Sequence, residues 1–149
     1  MKPRQKTRRK PLTLALSAVM YTAVTRNIQV TVLPEFLRER SNPEQNQFFW
    51  AYTVEISNHS EADVQLTHRH WTITDANGHI EEVRGPGVVG ERPILKPGDS
   101  FRYTSGCPLR TPSGIMGGEY RMVDALGLEF EVEIPAFSLD SPFSRRVLN

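Results

Sequence analysis

Gly85-Pro86-Gly87-Val88-Val89-Gly90-Glu91-Arg92-Pro93-Ile94-Leu95-Lys96-Pro97-Gly98 is the stretch that decides between two folds. Its first six residues have the spacing G-x-G-x-x-G. In a dinucleotide-binding unit that spacing follows a strand, opens a helix, and is answered by an acidic residue roughly 20 positions later. The helix is essential there, because its N-terminus supplies the N–H groups and positive field that hold pyrophosphate. Here Pro93 and Pro97 deny a helix its donors, and Pro97-Gly98 makes a turn. The signature therefore sits in a loop, and the chain around it reads as all β.

Strand signals run outward from this loop in both directions. Toward the N-terminus, His79 to Arg84 is the return strand of a hairpin whose turn is Ala76-Asn77-Gly78, and Val64 to Asp75 is its first strand. Asn58 to Glu61 is a turn. Before it, Phe48, Trp50, Tyr52, Val54 and Ile56 share one face of a long strand and carry the largest core contribution. Glu35 to Gln47 is polar, a loop with at most a helical turn at 36–40. Ile28, Val30 and Val32 alternate with polar residues in a first strand that Pro34 closes. Toward the C-terminus, Phe101, Tyr103, Ser105 and Cys107 share a face, and Pro108 to Gly118 reads as a loop. Glu119 to Val123 and Leu128 to Ile134 form a final hairpin with Leu128, Phe130, Val132 and Ile134 inward. The expected fold is an all-β sandwich of immunoglobulin or fibronectin type III kind, with about seven or more antiparallel strands.

Length and composition agree with one domain. The chain has 149 residues, 38% hydrophobic and 23% charged, without an apolar run long enough to span a membrane. Its single cysteine, Cys107, has no internal disulfide partner, which suits a reducing compartment. The net charge of +1 hides a division: Lys2, Arg4, Lys6, Arg8, Arg9 and Lys10 form a basic head. Setting those six aside leaves 12 basic residues against 17 acidic ones, a balance of −5. An acidic body is a poor nucleic-acid surface. Residues 1–19 are expected to be a disordered extension or the product of a mis-set start at Met20. A secretory leader is the alternative, with its apolar run broken by Thr13 and Ser17. Residues 20–149 are expected to form the domain and a short tail.

Several linked motifs, in order, carry a resemblance. They are Arg69-His70-Trp71-Thr72-Ile73-Thr74-Asp75-Ala76-Asn77-Gly78, then 83–91 around the glycines, Leu95-Lys96-Pro97-Gly98, Tyr103-Thr104-Ser105-Gly106-Cys107, and Thr111-Pro112-Ser113-Gly114. Together they closely resemble the bacterial ApaG family, from about Tyr21 through Phe137. The resemblance implies a fibronectin type III-like sandwich, a cytoplasmic bacterial protein, and gene linkage in some relatives to dinucleoside tetraphosphate hydrolysis. It also implies a genetic association with cobalt and magnesium resistance. Related domains in F-box proteins and in a polymerase delta-interacting protein look like protein-recognition modules. No settled biochemical activity comes with the family.

Three candidate sites follow. Gly85, Gly87 and Gly90, with Arg84 beside them, could form a backbone nest for phosphate, or they could shape a turn between strands. His68 and His70 fall on one face of a strand, as a shared metal would need. His59, His79, Glu81, Glu82 and Cys107 are further donors without diagnostic spacing. Ser105 and Cys107 lie near each other, but no signature supplies an activating histidine. The expected function is a non-enzymatic binding module, without a cofactor, that presents the 84–93 loop, the 108–118 loop and the Trp71 surface to a protein partner. The alternatives are nucleotide or pyrophosphate binding through the glycine loop and direct divalent-metal binding.

Overall fold

The computed structural model describes residues 6–7 and 19–144. Apart from Lys6 and Thr7, the basic head up to residue 18 lies outside the described residues, as do residues 145–149. The strands are β1 (Lys6–Thr7), β2 (Tyr21–Thr25), β3 (Ile28–Phe36), β4 (Phe48–Asn58), β5 (Val64–Asp75), β6 (Ile80–Pro86), β7 (Ile94–Leu95), β8 (Ser100–Leu109), β9 (Gly114–Asp124) and β10 (Glu129–Leu139). Two short 3-10 turns, Arg38–Arg40 and Pro43–Gln45, interrupt the 37–47 connection. All pairings are antiparallel. One sheet has the order β1-β8-β4-β3-β2, and the other has β10-β9-β5-β6 with β7 on β5. The architecture is the two-sheet sandwich that the alternating pattern predicts.

The core lies between the sheets. Ile28, Val30 and Val32 from β3, and Phe48, Trp50, Tyr52, Val54 and Ile56 from β4, are all buried, as their period-two spacing requires. They meet Leu66, Trp71, Met116, Tyr120, Met122, Val132 and Ile134 from the second sheet. Tyr103 on β8 and Tyr120 on β9 join the sheets by a hydroxyl-to-hydroxyl bond of 2.5 Å. The Trp50 indole N–H donates to the Asp140 carbonyl, which ties the C-terminal segment to the first sheet.

Several boundaries differ from the sequence reading for identifiable reasons. Pro34 does not end β3; it pairs with Tyr52 inside a strand that runs to Phe36. β2 covers β3 only as far as Val32, so beyond that point β3 is an edge, where a missing N–H costs nothing. Pro108 is tolerated in β8 in the same way. The supposed loop 108–118 is mostly strand, because β8 reaches Leu109 and β9 begins at Gly114. The segment before Ile28 is a separate strand, β2, joined to β3 by a tight turn with Arg26 and Asn27 both at positive φ (51° and 67°), the conformation that two-residue hairpins prefer. Leu128 is exposed rather than inward. In β10 a bulge between Ile134 and Phe137 resets the phase, so that Phe137 and Leu139 also enter the core.

A second bulge, at Thr67 in β5, governs the candidate sites. Register against β9 shifts between Leu66 and His68, so Leu66 and Trp71 both point inward although they are five residues apart. Trp71 therefore faces the space between the sheets and not the outer surface. His68 and His70 face outward.

Candidate functional site

The three glycines of the signature occupy three different environments. Gly85 lies within β6, opposite Arg69 of β5. A methyl group there would come within 2.9 Å of the Arg69 guanidinium, so glycine leaves the space into which that side chain folds. Gly87 (φ +60°) leaves the strand and donates its N–H to the Thr67 carbonyl at 2.8 Å, docking the loop onto the β5 bulge. Val88 and Glu91 then exchange two backbone bonds of 2.8 Å each, closing a small hairpin with Val89 (φ 42°) and Gly90 (φ +80°) at its tip. Val88 is plugged into the core, 1% exposed, while Val89 stays at the surface.

This geometry bears directly on phosphate binding. A nest needs successive N–H groups aimed at the anion, but those of Gly87, Val88 and Glu91 are committed to the protein's own carbonyls. Arg84 turns away to Glu82, at 2.9 Å, and both side chains are largely exposed. The cation that sits on the loop is Arg69, whose Nη1 donates to the carbonyls of Pro86 (2.9 Å) and Gly87 (3.0 Å). Sequence proximity favoured Arg84; only cross-strand register, through the Arg69–Gly85 pair, identifies Arg69.

His68 and His70 do share the outer face, yet they are engaged separately. His68 Nδ1 is bonded to the Thr67 hydroxyl at 3.0 Å. His70 lies between two carboxylates on the flanking strands, with Nδ1 to Glu119 at 2.5 Å and Nε2 to Glu82 at 2.8 Å. With an acceptor at each nitrogen, both must donate, which is the imidazolium form. Glu119 foremost, then Glu82, raises the His70 pKa above its usual 6.5, and His70 holds Glu82 below its usual 4.5. Among the described residues no group of three or more His, Cys, Asp and Glu side chains is arranged to hold a metal ion.

The stability linkage has a definite sign. His70, raised on folding, contributes fully below pH 6.5 and loses that contribution as pH rises through its folded value. Glu82, lowered on folding, contributes above pH 4.5 and loses it as pH falls. Urea midpoints of wild type should therefore decline from pH 6 toward alkaline pH more steeply than those of His70→Gln. Parallel pH profiles for the two proteins would contradict the ion triplet.

The main concavities lie elsewhere, on one side of the sandwich. β10 packs against β2 and β3 on the closed side. On the opposite side, between the edge of β6 and the far end of β8, the sheets part. A cavity of about 390 Å³ opens beneath the glycine loop, with Trp71, Tyr103, Cys107 and Met116 at its floor and Arg69 and Ser105 on its walls. It shares Ile73, Glu81 and Pro108 with a wider groove of about 1070 Å³ that carries Arg40, Phe49, His79 and Arg110. Gly106 keeps the wall thin, since a methyl group there would meet the Phe49 ring at 2.6 Å. Burial first, then Glu81, pushes the Cys107 thiol up to about 12, so at neutral pH it is a protonated, unreactive group. Period-two patterning missed this cleft because it assigns residues to faces without saying which edges of the two sheets stay apart.

Comparison with known proteins agrees with the architecture and the sequence motifs. The ApaG domain model matches residues 38–124. The chain is 72% identical to Protein ApaG of Methylocella silvestris and 68% identical to Protein ApaG of Beijerinckia indica, each over 130 residues that cover 87% of this chain and all of the relative. Among solved structures, the ApaA protein of Bordetella pertussis superposes with a TM-score of 0.77 at 46% identity, covering 82% of this chain and all of the other. With the family model spanning more than half of the sequence and full-length relatives at this identity, the chain belongs to the ApaG family.

Proposed function

We propose that the domain is a non-enzymatic protein-recognition module that holds an extended polypeptide segment in the cleft between β6 and β8. The observation that carries this reading is the one-sided opening of the sandwich, which joins the 390 Å³ cavity to the 1070 Å³ groove along a shared wall. A concave pocket lined largely by apolar side chains with a few polar groups is the usual form of a binding site; the cavity has such a lining, and the wider groove is the more polar of the two. The cavity's continuation as a groove suits a chain rather than a compact ligand. Strand edges on both sides offer backbone pairing as a further source of affinity. The commitment of the Gly87, Val88 and Glu91 N–H groups and of both His70 nitrogens supports this reading over a phosphate cradle or a metal site. No helix among the described residues is long and apolar enough to cross a membrane.

Ser105 lines the cleft on β8 and is half-buried, so Ser105→Arg should obstruct the cleft while leaving the sheet pairing in place. Peptides selected against the wild-type domain from a random display library are expected to lose at least about tenfold in affinity for the variant, or 1.4 kcal/mol, with little change in Tm. Undiminished binding to a folded Ser105→Arg domain would remove the cleft from consideration.

A further inference from the structure

Within the cleft, Arg69 stands out. It is half-buried, and its guanidinium is held in place by the Pro86 and Gly87 carbonyls. No carboxylate of the described residues pairs with it. On the neighbouring strand face, by contrast, Arg84 is paired with Glu82 and His70 with two carboxylates. Two carbonyls use one end of a fork that carries five N–H donors. A fixed, partly desolvated guanidinium without a carboxylate has the arrangement that suits recognition of a planar oxyanion. Its charge is felt in the cavity, where burial raises the Tyr52, Tyr103 and Tyr120 hydroxyls and Arg69 acts against that rise at each.

The opposite charge in the cavity is well separated from it. Glu81 pairs with Ile73, four residues along β5 from Arg69, which is about 13 Å at strand spacing. The cavity therefore has a cationic end beneath the glycine loop, an aromatic and thioether floor of Trp71 and Met116, and an acidic exit at Glu81 into the wider groove. A polypeptide C-terminus has the matching sequence of groups: a carboxylate, a side chain beside it, and a chain that must leave in one direction.

We propose that the cleft captures the C-terminal residue of a partner polypeptide, its carboxylate on Arg69 and an aromatic or bulky apolar last side chain over Trp71, with the preceding residues running past Glu81. This rests on the recognition reading above and narrows it to one class of segment. Free C-terminal capture is a recurrent mode of peptide recognition, and here the anion is met by a side chain rather than by a backbone nest.

The test uses the full chain and acetylated pentapeptides ending in Phe, Trp or Leu, each prepared as free acid and as C-terminal amide, with 3-phenylpropanoate as a small free acid. Binding is read from amide chemical shifts. The acids are expected to bind at least about tenfold more tightly than their amides. That preference should vanish in Arg69→Gln while shifts near Trp71 persist. Equal affinity of acid and amide, with shifts at the cleft, would overturn C-terminal capture and leave segment binding intact. Tighter binding of 3-phenylpropanoate than of the peptides would overturn it in favour of a small free acid. Silence of every probe up to roughly 5 mM would overturn it as well. If display selection against the wild-type cleft also fails, the recognition reading falls with it.

Discussion

Replacing Trp71 with Ala is expected to cost about 3–5 kcal/mol, the range for emptying a buried aromatic site. Trp71 is 3% exposed, although it lies one residue from an outward-facing histidine. Its ring is edge-on to Tyr52 of the facing sheet (5.2 Å between centroids, 65°) and to Tyr120 and Phe137 of its own sheet (6.5 and 6.0 Å, 83° and 89°). Such edge contacts add to the area term. Losing them all consumes a large share of the roughly 5–15 kcal/mol that holds a domain together. At this chain length, Tm should fall by about 10–15 °C. Trp71→Phe should recover most of the loss because a ring remains between the sheets. A fall of only a few degrees for Trp71→Ala would mean that the side chain is at the surface, as the sequence alone suggested, and that the Thr67 bulge is misplaced.

The three signature glycines should respond unequally to alanine. At Gly87 the backbone is left-handed (φ +60°), and a methyl group would lie 2.2 Å from the Glu91 carbonyl oxygen. That oxygen accepts the Val88 N–H, so the methyl can enter only if the small hairpin opens and withdraws Val88 from the core. Left-handed strain of about 1–2 kcal/mol and a lost bond of about 1 kcal/mol together give about 2–3 kcal/mol. Gly90 shares the left-handed conformation (φ +80°) but has nothing within 4 Å, so Gly90→Ala should cost only about 1 kcal/mol. Gly85→Ala meets the movable end of Arg69; it should fold nearly normally while displacing the guanidinium. Urea unfolding of the three variants should rank Gly87 far ahead of the others. Equal effects would contradict the idea that the signature is a scaffold whose members do separate work.

Much of the fold was legible because exposure alternates along these strands. β5 begins and ends where the apolar pattern and Asn77-Gly78 place it, and the inward faces of β3 and β4 are those their branched and aromatic residues announce. The failures are also physical. Prolines at 34 and 108 look like strand ends only if both sides of a strand are assumed to be paired; each has a ladder on one side. Bulges at Thr67 and at 135–136 invert the phase without a composition signal strong enough to reveal them, which is why Trp71 and Phe137 were misplaced or missed. Of the glycine signature, residues 87–90 form the loop that the sequence announces, whereas Gly85 and Pro86 belong to β6, and its chemistry depended on which N–H groups the protein already uses. Val88 in the core and Arg69 on the loop both follow from long-range pairing that no local window contains.

The central claim is that the open side of the sandwich, between β6 and β8, receives a polypeptide segment. Cross-saturation mapping of the tightest library-selected peptide on the labelled domain tests it most directly. The account predicts transfer confined to Glu81, Val83, Val89, Ser105, Pro108 and their neighbours around the cavity. Transfer centred on the outer face, at His68, His70 and Glu119, with the cleft residues unaffected, would contradict it.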